Sequence, residues 1–161
     1  MIMKDKLKES TEYGEIFELV REAVREAIGK QRSGLMLVLG DLPPQIGALH
    51  SMGSNAIVMN KAIMDALEVV IKAKEDRNSV IFDFLLHEYL HSLGYVSEDE
   101  VRSISRDICE KNFGKEHLTT KMAFNGPWTL YPQLAWIRPR SFDESATIVK
   151  NFDRTSTSYI S

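Results

Sequence analysis

Ser79-Val-Ile-Phe-Asp-Phe-Leu-Leu-His-Glu-Tyr-Leu-His-Ser-Leu-Gly94 is the most strongly apolar helical stretch of the chain. Ile81, Phe82, Leu85, Leu86, Leu90 and Leu93 recur at helical spacing, and Gly94 stands where a left-handed residue closes a helix. Two histidines and a glutamate, His87, Glu88 and His91, sit inside this stretch. Positions four apart on a helix are separated by roughly 40° around the axis and about 6 Å along it, so both imidazoles face the same way.

Working outward, Ser97-Glu-Asp-Glu100 has the capping-box pattern and opens a helix through Val101, Ile104 and Ile108 to about Gly114. A short helix from about His117 to Phe124 follows. Upstream, Asn60 caps a helix to about Lys74, and Tyr13–Gly29 carries Ile16, Val20, Ala23, Val24 and Ile28 on one face. Two extended segments, the glycine-bounded run Gly34–Gly40 and Ala56–Met59, are expected to pair across a loop holding His50. The class is therefore α+β: a small sheet packed with helices, in one domain over residues 1–150. Beyond Gly126, aromatics mix with prolines as in an extended wrap, and residues 151–161 read as a polar, mobile tail.

Composition narrows the function. With 43% hydrophobic and 27% charged residues the chain is expected to fold rather than stay disordered. A formal net charge of −3 supplies no basic field for nucleic acid. No apolar run is long enough to span a bilayer, and a single cysteine, Cys109, reads as a packing residue in a reducing compartment, so a cytoplasmic protein is expected.

Neutral imidazoles at this spacing suit zinc, which in a catalytic site takes three protein ligands and keeps one position for water. One Zn2+ per chain is expected on His87 and His91. Glu88 is the expected general base toward metal-activated water. Buried histidines also need partners for their ring nitrogens, and a shared metal serves both.

His87-Glu-Tyr-Leu-His-Ser-Leu-Gly-Tyr95, with the Ser54–Asn60 strand upstream and Gly114-Lys-Glu-His117 and Pro127-Trp128 downstream, resembles zincin-like metallopeptidases, in particular small uncharacterised zincin-like metalloproteins of archaeal type. The resemblance implies an α+β zincin-like domain, a metal-bearing helix, a cleft beside an edge strand (here Ala56–Met59) and a peptide or protein substrate. The metzincin pattern wants a histidine where this chain has Ser97. In gluzincins a glutamate on the next helix completes the site, which brings in Glu100. His117 is favoured as third ligand, because Glu100 has a capping role with Ser97 and Glu98 reads as a favourable charge at a helix N-terminus. His50, Tyr95 and Tyr131 are secondary candidates for oxyanion donors, and Met122 for the floor of the site. The rival expectation is a non-enzymatic zinc-binding or interaction protein whose C-terminal segment, with Trp128 and Trp136, covers the cleft.

Overall fold

The computed structural model describes residues 2–137 and 146–153. Its core helix owes its position to its sequence. Helix α4 (Lys74–Ser92) buries Val80, Phe82, Leu85, Leu86, Tyr89 and Leu90, which cover more than half of its circumference, so it has neighbours on most sides. Those neighbours are α1 (Met3–Glu9), α2 (Tyr13–Ile28), α5 (Glu98–Phe113), α6 (Leu118–Asn125) and the sheet.

The sheet runs β2–β3–β1–β4, with β1 Met36–Gly40, β2 Ala48–His50, β3 Ala56–Asn60 and β4 Thr147–Ile148. β1 and β3 are parallel, Met36 opposite Ala56 through Gly40 opposite Asn60. β2 runs antiparallel along the other side of β3, Ala48 facing Met59 and His50 facing Ile57, and β4 is antiparallel to β1. This corrects one expectation: Ala56–Met59 is an interior strand, and the edge beside the helices is β2. Three residues are too short for an alternating pattern, so β2 leaves no periodic trace in the sequence.

Polar side chains tie the elements around α4. Asn60 accepts from the Ala62 N–H as the cap of α3 (Lys61–Val70) and donates to the carbonyls of Leu42 and Ile46, fixing the loop that leads into β2. Asn78, buried on α4, donates to the carbonyls of Leu7 and Ser10 at 2.8 and 2.9 Å and seats the end of α1. The backbone N–H of Arg32 donates to the Tyr89 hydroxyl, while its guanidinium reaches the carbonyls of Ser92 and Ser54.

The C-terminal region differs from the extended wrap and free tail expected. Pro127 and Pro132 stand at first helical positions, where a fixed φ and a missing N–H cost nothing, and they open α7 (Pro127–Leu130) and a 3-10 helix (Pro132–Trp136). Phe152 is buried and stacks on Phe17 with ring centroids 4.2 Å apart. Asp153 accepts from the N–H groups of Gly34 and Leu35. The expected tail is thus anchored at its start, and residues 154–161 lie outside the described residues.

Gly47, just before β2, lies against the Phe84 ring of α4 so closely that an added Cβ would overlap the ring. Gly47→Ala is therefore expected to cost about 1–3 kcal/mol of stability through overpacking, read as a lowered denaturant midpoint at unchanged slope.

Candidate metal centre

The last turns of α4 carry His87, Glu88 and His91, and the chain returns at once to cover them. Gly94, at φ +105, ends the helix where a side chain would be strained, and Ser97 caps α5 by accepting from the Glu100 N–H. This three-residue return sets Glu98, the first residue of α5, over the two imidazoles. Its Oε1 lies 2.8 Å from His91 Nε2 and its Oε2 lies 2.9 Å from His87 Nε2. The two rings are 4.9 Å apart and nearly edge-on.

The proton positions at His91 follow from its partners. Nδ1 lies 2.7 Å from the Tyr95 carbonyl, which can only accept, so Nδ1 carries the hydrogen. In a neutral ring Nε2 then offers a lone pair, and it faces a carboxylate oxygen. Two acceptors meet unless a proton or a cation stands between them. A ligating histidine held through its other nitrogen by a backbone carbonyl is the arrangement metal sites use to fix ring orientation.

The surrounding electrostatics point the same way. Burial lowers the pKa of His87 below its ordinary value, aided by His91 and Arg102 and opposed by Glu98, which favours the neutral, ligating form. Burial works against the Glu98 carboxylate, yet the two imidazoles outweigh it and hold its pKa below the usual value. Glu88 is 6% exposed, and its Oε2 is enclosed with no hydrogen-bond partner among the described residues. Burial first, then the charge of Glu98, pushes its carboxyl up to about 8. Asp83, one turn before His87, is pushed up to about 7 by burial.

A cleft of about 500 Å3 opens over these residues, with Gly47 to His50 along one wall and Trp128 on another. Among the described residues, His87, Glu88 and His91 are the group whose ligand-capable atoms lie within 4.8 Å of one another. Glu98 is the carboxylate in direct contact with both imidazole nitrogens.

His117 is not brought to this group. It caps α6, where Nδ1 accepts from the Thr119 N–H at 3.2 Å, and its Nε2 meets Glu75 Oε1 at 3.2 Å. Glu75 precedes His87 by twelve residues, about 18 Å of helix, so His117 stands at the far end of α4. Both ring nitrogens are satisfied there, and the ring stacks on Phe113. Glu100 lies on the exposed side of α5. The spacing from His91 to Glu98 was the available signal for the third group, and it was hidden by the equally good reading of Glu98 as a helix-start charge.

The remaining candidates divide. His50 lines the cleft; its Nε2 donates to the Ser54 carbonyl at 2.9 Å, and its Nδ1 is enclosed without a partner. The Tyr95 ring lies under the Lys30 ammonium, while Tyr95 serves the site through its carbonyl. Tyr131 is not among the residues lining the cleft. Met122 is buried beside a neighbouring cavity, and Trp136 is exposed.

No family model, curated protein or solved structure matches this chain. No helix among the described residues is long and apolar enough to cross a membrane.

Asp83 carries a pH signature. Its folded pKa of about 7 lies above its ordinary 3.8, so the folded state holds the proton more tightly and stability falls as pH rises between those values. Glu88 extends the decline toward about 8. His87 and His117, whose pKa values burial lowers, act in the opposite sense below about pH 6.5, so the readout is a comparison. In thermal melts in chelator from pH 5 to pH 8, Tm of the wild type should fall relative to that of Asp83→Asn, and parallel curves contradict the assignment.

Proposed function

We propose that the chain is a zinc-dependent peptidase in which His87, His91 and Glu98 hold the metal and Glu88 is the general base. The observation that carries this reading is the convergence of two imidazole Nε2 atoms on one carboxylate, with His91 Nδ1 already committed to a backbone carbonyl. Ligands about 2.1 Å from a tetrahedral ion lie roughly 3.4 Å apart, so each imidazole nitrogen and its Glu98 oxygen need to separate by only about half an ångström. Two nitrogens and one oxygen form a donor set of the kind catalytic zinc uses, and the open cleft leaves room for water and substrate.

When bound, zinc supplies an acidified water and a polarised substrate carbonyl. The chain's own residues do the rest. Glu88, whose Oε2 has no other partner, takes a proton from the water as its oxygen adds to the peptide carbonyl. It then passes that proton to the amine nitrogen as the C–N bond breaks. Its high pKa in the metal-free protein would drop beside a cation, toward the neutral range a base needs.

A peptide substrate is supported by β2, which among the described residues pairs with β3 on one side only and lines the cleft. An extended chain can add there by main-chain hydrogen bonds. Ile46, Met52 and Val96, all exposed, give the rim an apolar character suited to an unfolded segment. The openness of the cleft favours this reading over a purely structural zinc site, which closes its fourth position. A reducing, cytoplasmic setting suits the buried thiol of Cys109.

Elemental analysis and competition with a chromogenic chelator test the ligands. Wild-type protein should carry stoichiometric zinc. Glu98→Ala should weaken zinc binding by more than about a hundredfold, and His117→Ala should leave it unchanged. The reverse pattern would reject the assignment, and protein that takes up no zinc would remove the peptidase reading.

Glu88→Gln separates base from ligand. It should retain zinc and lose hydrolysis of a quenched-fluorescence peptide by about 10²- to 10⁴-fold; loss of the metal instead would make Glu88 a ligand.

A further inference from the structure

A second cavity, of about 230 Å3, adjoins the metal cleft and shares Asp83, His87, Arg102 and Pro127 with it. The geometry points to this cavity as the subsite for a carboxylate of the substrate, recognised by Arg102 and Arg106; the inference rests on the peptidase reading of the neighbouring cleft.

The sequence sets the charges in a row. Glu98, Arg102 and Arg106 are spaced four apart on α5, so they form one stripe leading away from the metal donors. Each step is about 6 Å along the axis, comparable to the distance between a scissile carbonyl and a charged group on the following residue. Arg102 is exposed and makes no ion pair among the described residues, and its charge acts on His87. Arg106 is held in place by its Nε donating to the Ala123 carbonyl at 3.3 Å and by its guanidinium lying 5.1 Å over the Phe124 ring. A guanidinium fixed in this way presents its remaining N–H groups as a planar fork, the geometry that binds carboxylates.

Ser105 supplies the independent sign of a ligand. It lies between the two arginines, is 4% exposed and lines the cavity, and its Oγ is enclosed with no hydrogen-bond partner among the described residues. A buried hydroxyl is seldom left unpaired unless something outside the protein pairs with it. Asp83 is the acidic member of the lining. Burial holds it toward the neutral acid, in which form it donates to a carboxylate.

The carboxylate belongs either to the C-terminus of the substrate or to an aspartate or glutamate side chain beside the scissile bond. Three fluorescent peptides of otherwise identical neutral sequence distinguish them: one ending in an amide, one ending in a free carboxylate, and one amidated but carrying an internal glutamate. Affinities are measured on zinc-loaded Glu88→Gln protein, alone and combined with Arg102→Gln or with Arg102→Gln/Arg106→Gln. A carboxylate-bearing peptide should bind about tenfold or more tightly than the neutral amide. That preference should weaken in the single arginine variant, which disturbs no packing contact, and vanish in the double variant at unchanged zinc content. Tighter binding of the free terminus assigns an exopeptidase subsite, and tighter binding of the internal glutamate assigns an endopeptidase subsite. Equal affinities, no binding, or a preference that survives both arginine changes overturns the inference. Peptides that bind with this preference yet are not cut by wild-type zinc-loaded protein would instead overturn the peptidase reading and leave the subsite standing.

Discussion

His91 sits between two acceptors, the Tyr95 carbonyl at 2.7 Å and the Glu98 carboxylate at 2.8 Å, and a neutral imidazole has only one hydrogen to offer them. Both contacts are dictated by the chain's path. The carbonyl comes from the turn that ends α4, and the carboxylate from the first residue of α5. A positive charge between Nε2 and Glu98 resolves the conflict, as a shared proton or as a metal ion. His87, facing the other oxygen of the same carboxylate, brings a second imidazole nitrogen to the same group.

The rest of the fold holds this point still. α4 is buried on all sides but the cleft, so its register against α1, α2, α5, α6 and the sheet is set by close-packed apolar contacts. Arg32 ties the C-terminal end of α4 to the loop before β3, and Asn60 ties the loop before β2, so the strand wall of the cleft and the helical floor are fixed to each other. Within this packing Glu88 and Asp83 are kept as carboxyls of high pKa, at a cost in stability as pH rises. A buried carboxyl such as Glu88 is costly to a fold and useful to a reaction, and both Glu88 and the half-buried Asp83 line the cleft over α4.

Much of this was legible in the sequence, and the reason differs by element. α2, α3 and α5 announce themselves through apolar periodicity and through Asn60 and Ser97 as caps, and their starts hold in the structure, but α3 ends at Val70 rather than near Lys74, where α4 already begins. α1 does not, because Met3 and Leu7 give only two buried positions in seven residues. β2 is hidden by its length, and with it the fact that β3 is interior. His87, Glu88 and His91 could be paired because helix geometry alone brings them together. The third group could not be so fixed, since choosing among Glu98, Glu100 and His117 depends on the angle between two helices, which no local rule sets. His117 drew attention as an unexplained histidine, and its explanation lies with Glu75, forty-two residues earlier in the chain.

X-ray absorption at the zinc edge of zinc-loaded protein tests most directly which donors surround the ion. Two imidazole nitrogens with oxygen donors from Glu98 and water is the expected coordination, with one oxygen contribution altered in Glu98→Ala. A third imidazole in the wild-type spectrum, or zinc bound without any imidazole, would contradict the account.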